Sequence, residues 1–277
     1  MIKVENLVKE YGKIKAVDDV SFSVEEGEIF GLLGPNGAGK TTIIRILTTI
    51  LLPTKGRARI CGFDVVKDAD KVRNMIGVAP QEINLDRELT VYENLMIHGM
   101  LHRMKDLKKR ADELIRWAGL EGREDTIVEE LSGGMKRRLL IARAIMHYPK
   151  VLFLDEPTVG LDPQIRRQIW DMIKNLKDEG ITIMLTTHYI EEAETLCDRV
   201  GILNRGKLIA IGKPEELKER IGRFVVELLN KGKTEYRFFP DRRSASRFVE
   251  GLNQDAVIRK VNLEDVFIKI TGEKIEE

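Results

Sequence analysis

The stretch GPNGAGKTT, Gly34 to Thr42, constrains this chain more than any other. It matches G-x-x-x-x-G-K-[ST] at Gly34, Gly39, Lys40 and Thr41, and it lies between an apolar strand-like run, EIFGLL, and a helical pattern, TTIIRILTTIL. That is the setting the motif needs: a strand, a tight loop whose backbone N–H groups turn toward an anion, and a helix whose N-terminus adds partial positive charge. Glycine permits the loop to curl, so Gly34, Pro35, Asn36, Gly37, Ala38, Gly39, Lys40, Thr41 and Thr42 are read as a phosphate cradle. Lys40 would reach the β- and γ-phosphates, and the Thr41 hydroxyl would face a Mg²⁺ ion bridging them. The pattern implies a nucleoside triphosphate site and leaves ATP and GTP open.

Around the cradle, apolar runs at Ala16 to Val24, Ile76 to Ala79, Val151 to Leu154 and Ile181 to Thr186 read as strands, with helices at Lys40 to Leu52, Pro163 to Asp178 and Ile190 to Cys197. Strands alternating with helices predict an α/β fold of the P-loop NTPase type, with a central, largely parallel sheet and an antiparallel β subdomain. From Asn84 to Pro149 the strand signals stop. TVYENLMIHGMLH, DLKKRADELIRWAGL and GGMKRRLLIARAIMH carry helical spacing instead, so residues 84–149 are read as a helical insertion. Two short strands flank Asn204 to Gly206, and KPEELKERI closes the main domain, predicted as residues 1–221. Residues 222–277 are predicted as a small α+β appendage, with strands at Phe224 to Leu229 and Glu235 to Phe239, a helix at Arg242 to Leu252 and an amphipathic end near Leu263 to Ile270.

Two further strand ends carry chemistry. VLFLDEP ends abruptly in Asp155 and Glu156, which places both acids at the carboxyl edge of a parallel sheet, where ligands bind. Asp155 would hold Mg²⁺, and Glu156 would orient the water that attacks the γ-phosphate or take its proton. ITIMLT delivers His188 to the same edge, within reach of that phosphate. Ser132, Gly133 and Gly134 precede a helix start, so they read either as a plain cap or as a second phosphate-binding helix end. His98 and His102 are spaced i, i+4 like zinc ligands, but Gly99 stands where H-E-x-x-H needs glutamate, and both are read as ordinary helix residues. The basic runs Lys108 to Arg110 and Lys136 to Arg138 are read as solvated helix faces.

With 46 basic against 45 acidic residues the formal charge is only +1, so no global basic field is available to hold a nucleic acid. No apolar run reaches the roughly 20 residues of a membrane span, the N-terminus MIKVENLVKE lacks the pattern of a signal peptide, and Cys61 and Cys197 form no C-x-x-C pair. A cytoplasmic setting is expected.

In order and spacing the cradle, the LSGG segment, the strand-end Asp-Glu pair and His188 resemble the ATP-binding cassette (ABC) ATPases, over about Met1 to Ile221. The resemblance implies ATP with Mg²⁺, with Tyr11 stacked on adenine and Gln81 sensing Mg²⁺ and the partner. It also implies Leu131 to Met135 as the signature, Gly160 to Asp162 as the D-loop and His188 as the switch histidine. In that family Ser132, Gly133 and Gly134 bind the γ-phosphate held by the opposite subunit, so ATP is sandwiched between two copies or two related subunits. The usual signature glutamine is Met135 here. LSGGMKRR and NLEDVFIKITGEK, Asn262 to Lys274, resemble the drug-exporting branch, which implies a peripheral subunit on the inner face of the membrane, working on separate permease subunits. The alternative is a soluble cassette ATPase serving nucleic acid, ribosomes or iron–sulfur assembly. A GTPase would need N-K-x-D, which fails at Asn230 to Lys233, and a small-molecule kinase would leave the LSGG segment and Glu156 unexplained.

Overall fold

The computed structural model describes residues 1–230, 233–252 and 255–272. Its centre is a six-stranded sheet in the order β10 (Lys207–Gly212), β9 (Arg199–Asn204), β3 (Ile29–Leu33), β8 (Thr182–Thr187), β7 (Val151–Asp155) and β6 (Ile76–Ala79). Every neighbouring pair is parallel except β10 with β9, which form a hairpin. The strands β3, β7 and β8 are buried along their whole length, as strands covered on both faces must be.

Strand alternation sends successive side chains into different cores. Ile29, Leu33, Leu152, Leu154, Ile183 and Leu185 join one apolar cluster, while Phe30, Leu32, Val151, Phe153 and Met184 join the other. The second cluster is closed by α1 (Lys40–Leu47) and by an antiparallel sheet in the order β2 (Ile14–Val24), β1 (Ile2–Tyr11), β4 (Lys55–Ile60), β5 (Phe63–Asp64), with α2 (Ala69–Arg73) following β5.

The first cluster is covered by helices. α3 (Val91–Leu101), α4 (Leu107–Trp117) and α5 (Gly133–Ala144) pack on one another within the 84–149 segment, and α6 (Pro163–Asp178) and α7 (Ile190–Leu196) complete the layer. Local chemistry sets their starts. Thr90 and Glu93 form a reciprocal capping box on α3, Ser132 caps α5, and Asp162 accepts from the Gln164 and Ile165 amides at α6, whose first residue is Pro163.

After α8 (Pro214–Glu219) comes a three-stranded antiparallel sheet, β12 (Lys233–Phe239), β11 (Phe224–Asn230), β13 (Ala256–Lys260), covered by α9 (Arg242–Glu250) around Val226, Leu228 and Ala245. The last helix, α10 (Leu263–Thr271), turns back: Leu263, Val266 and Phe267 enter the main core, and the Leu263 amide donates to Glu194 on α7 at 2.9 Å. Residues 273–274 of the NLEDVFIKITGEK segment, and 231–232 of the Asn230 to Lys233 stretch, lie outside the described residues.

The helix after the cradle is shorter than its apolar pattern suggests. It stops at Leu47, where Thr48 Oγ donates back to the Ile44 carbonyl at 2.8 Å and Thr49 turns left-handed at φ 65°. Strands β4 and β13 escape the sequence reading, because KGRARI buries only Ala58 and Ile60 and AVIRK buries none of its side chains fully.

Candidate functional site

Strand β3 ends at the cradle, and the Gly34 amide donates to Thr187 O at the end of β8 at 3.3 Å. Two glycines are dictated by close approach. A Cβ on Gly34 would lie 2.3 Å from Leu203 O, and one on Gly39, at φ +105°, would lie 2.3 Å from Ala16 O. No side chain caps α1, so its first turn presents its amides to the cleft. That cleft is lined by Ala16, by Asn36 to Thr42, and across from them by Gln81 and Glu156.

Lys40 is folded into the loop it follows. Its Nζ donates to Gly34 O at 2.8 Å and Pro35 O at 3.2 Å, and lies 3.4 Å from Glu156 Oε1. Burial lowers its pKa, while the charge of Glu156, and more weakly that of Asp155, pulls the other way. The ammonium is thus held in place without strong hydration, ready to meet an anion.

The carboxylates sit where β7 runs out. Asp155 accepts from Thr41 Oγ1 at 3.2 Å and from the Thr186 hydroxyl on β8, so the strand end and the first turn of α1 share one oxygen-rich locus. Thr41 hydroxyl and Asp155 carboxylate are hard oxygen donors of the kind Mg²⁺ takes, and the pair fits that ion. Glu156 adopts φ +48°, a left-handed backbone for a non-glycine residue, and its amide donates to Thr186 O and Thr186 Oγ1, both at 3.1 Å. This turn points its carboxyl group into the cleft. Gln81 Nε2 donates to Glu156 Oε2 at 3.5 Å, and His188 Nδ1 lies 3.1 Å from the same oxygen without the alignment of a hydrogen bond. Lys40, Gln81 and His188 therefore converge on the Glu156 carboxylate, from three separate stretches of chain.

Other expected residues lie elsewhere. Tyr11, 48% exposed at the end of β1, has Lys9 Nζ 5.2 Å from its ring centre and does not line the cleft. Ser132 and Gly133 are exposed at the start of α5, and neither they nor Gly134 line it. Gly134 has a packing reason, since a Cβ there would lie 2.7 Å from Ile165 Cγ2 on α6.

Three residues were missed by the sequence reading. Arg137 is not on a solvated face: it is 3% exposed, and its guanidinium donates to Pro80 O at 2.9 Å and Gln81 O at 2.8 Å. A basic residue flanked by Lys136 and Arg138 carries no local sign of which one turns inward. Arg110, too, is half-buried, stacked over Tyr148 and donating to Ile145 O at 3.1 Å. Glu192 on α7 is fully buried and accepts from Thr158 Oγ1 at 2.7 Å and Trp170 Nε1 at 3.0 Å, while desolvation raises its pKa. It ties the segment after Glu156 to the helix after His188.

The sequence profile of the ABC transporter family matches residues 17–159. Nod factor export ATP-binding protein I of Paraburkholderia xenovorans is 41% identical over all of this chain and 98% of its own length. Linearmycin resistance ATP-binding protein LnrL of Bacillus subtilis is 45% identical over 80% of this chain and 72% of its own. Among solved structures, an ATP-binding subunit of an ABC transporter superposes with a TM-score of 0.75 at 26% identity, covering 98% of this chain and 99% of that one. A dimeric bacterial ABC transporter cassette superposes at 0.71 with 31% identity, covering 77% of this chain and 98% of that one.

Proposed function

The chain belongs to the ABC transporter family as an ATP-hydrolysing, ATP-binding subunit, and from that premise we propose that it powers export through separate membrane permease subunits. The observation that carries the reading is an incomplete site. Lys40, Gln81 and Glu156 line one cleft and His188 reaches the Glu156 carboxylate, while Ser132 and Gly133 stand exposed outside it, at the start of α5. A second copy, or a related subunit, facing this one head to tail would bring its signature against the γ-phosphate.

In that sandwich the cradle amides and Lys40 bind the phosphates, and Tyr11 would stack on adenine. Thr41, Asp155 and Gln81 would hold Mg²⁺, which supplies charge neutralisation to the β- and γ-phosphates. Water attacks the γ-phosphorus as the bond to the β,γ-bridging oxygen breaks, and Glu156 takes the proton while His188 and Lys40 hold the transferring group. The products are ADP and phosphate, and their loss of the γ-phosphate contacts opens the dimer. Residues 1–221 form the ATPase unit in this reading, residues 84–149 transmit its closure to the permease, and residues 222–277 are an appendage.

No helix among the described residues is long and apolar enough to cross a membrane, which fits a peripheral subunit on the inner face of the cell membrane. Relatives named for export of Nod factor and for linearmycin resistance support export over import. The test is to isolate the tagged chain from detergent-extracted membranes of its native host and identify what copurifies. Recovery of a multi-span membrane protein is the expected result. Recovery only with ribosomes, nucleic acid or assembly factors would overturn the transport reading and keep the ATPase.

A further inference from the structure

Three of the four histidines, two from one helix end and one about 45 residues further along, gather away from the ATP cleft. His98 lies on the last turn of α3, His102 is its C-terminal cap, and His147 follows the end of α5. Each offers a ring nitrogen, and the three nitrogens lie within 4.8 Å of one another. The His102 and His147 rings stack at 3.8 Å, and His98 lies 4.8 Å from His102 and 5.8 Å from His147, centre to centre.

Gly99 sits where α3 packs closely on its neighbours. A Cβ there would lie 2.3 Å from Leu107 Cδ2 and 2.9 Å from Met146 Cε, so a larger residue would have to displace those side-chain ends beside the histidines.

The ring nitrogens are close enough to share one ion, and two of them have no other partner. His147 Nε2 lies 2.9 Å from Ile76 O, and a carbonyl only accepts, so Nε2 carries the proton and Nδ1 is left with a lone pair. That Nδ1 is buried without a hydrogen-bond partner, and so is His98 Nε2. Two orphaned buried nitrogens beside a third imidazole call for something that accepts lone pairs. Burial holds His98 and His147 neutral, their pKa values lowered to about 3 and about 4, and neutral imidazole is the form that binds metal. The Arg143 guanidinium, which also weighs against charging His98, is committed to Asn84 O at 2.9 Å and to the Asn84 side chain.

We propose that His98, His102 and His147 form a site for a borderline divalent transition ion of the zinc class, with the fourth position open to water. Three imidazoles without carboxylates select Zn²⁺, Ni²⁺ or Cu²⁺ and not Mg²⁺ or Ca²⁺. Bonds of about 2.0 Å put ligand nitrogens roughly 3.3 Å apart, so the side chains must close on the ion and the stacked His102 and His147 rings must turn out of parallel to face it. His102 is half-buried beside the 76%-exposed Leu101, which leaves an entry path from solvent. A bound ion ties the end of α3 and the chain after α5 to Ile76, at the head of the β6 strand that leads to Gln81.

The full chain, purified without a polyhistidine tag and stripped with chelator, is titrated with ZnCl₂ at neutral pH by calorimetry. One equivalent binding with Kd of about 10 µM or tighter is expected, weakened at least about tenfold in His98→Gln and in His102→Gln with ATP affinity unchanged. X-ray absorption of the zinc-loaded chain should show nitrogen neighbours at about 2.0 Å. Weaker binding than that, or a Kd unmoved by either substitution, would overturn the site and leave the three rings as a neutral packed cluster. Should His98→Gln not fold, His102→Gln, at the half-buried helix end, decides alone.

Discussion

The guanidinium of Arg137 grips the backbone of Gln81, donating to its carbonyl at 2.8 Å and to the neighbouring Pro80 carbonyl at 2.9 Å. Arg137 stands five residues after Ser132 on α5, and Gln81 faces Glu156 in the cleft, so one buried side chain joins α5 to the loop that carries Gln81.

Removing that clamp should uncouple the two. Arg137→Ala removes the donor to two part-buried carbonyls and should cost about 1 to 3 kcal/mol of stability. It should also lower ATP turnover at least about tenfold while ATP affinity changes little. Arg137→Lys, with a single-point donor in place of the fork, should fall between. Denaturant unfolding and steady-state kinetics read both, and wild-type turnover in Arg137→Ala would show that the link is only structural.

Lys40→Ala should abolish turnover, by roughly a hundredfold or more, because its Nζ would supply the charge facing the phosphates and no other cation among the described residues lines the cleft. Loss of fluorescent ATP-analogue binding should accompany it. Retained activity would remove the cradle from the mechanism.

Glu156→Gln should keep ATP binding and lose turnover by about two to four orders of magnitude, since the amide preserves the shape of the site but takes no proton. Light scattering with ATP and Mg²⁺ should then find a stable dimer, which opens in wild-type protein after hydrolysis. A mutant that remains monomeric and binds ATP would argue that the permease is needed for closure.

Gly134→Ala should destabilise the chain by about 1 to 3 kcal/mol through the contact with Ile165 Cγ2. In the double mutant with Ile165→Ala the two costs should not add, with a coupling of at least about 0.5 kcal/mol in thermal or chemical unfolding. Full additivity would mean that the glycine serves only its backbone amide.

Glu192 gives a pH dependence whose sign is set by burial. Its pKa is raised above 4.5 in the folded chain by desolvation, so the folded state holds a proton the unfolded state releases, and its contribution is complete below pH 4.5 and lost as pH rises through the folded value. Glu192→Gln can still accept from Thr158 and Trp170 and does not ionise. It should therefore equal or exceed the wild type in stability at pH 8, by up to about 1 kcal/mol, while Glu192→Ala is less stable at every pH. A Gln variant less stable than wild type at pH 8 would show that the Glu192 charge is itself stabilising, through Arg166.

Much of the molecule is legible in local pattern. The glycine loop between an apolar run and an amphipathic one marks the cradle because each Gly answers a backbone need, such as the contact of Gly39 with Ala16 O. VLFLDEP marks the carboxylates because a fully buried strand has no room for acids until it ends. The three helices of the 84–149 segment show in their spacing, and their caps, Thr90 and Ser132, are of the residue types that accept from free amides.

What the chain by itself determined was therefore most of the elements and the residues proposed to bear the phosphate chemistry, since periodicity, caps and glycine demands act over a few positions. Only the tertiary structure decided which members of a mixed surface turn inward. It chose Arg137 from a basic triplet, buried Glu192 against Thr158 and Trp170, folded α10 back onto α7, and set His147 beside His98 and His102. Those contacts join positions up to 69 residues apart. Their energy depends on desolvation and on partners that no local window contains, so no spacing rule could announce them.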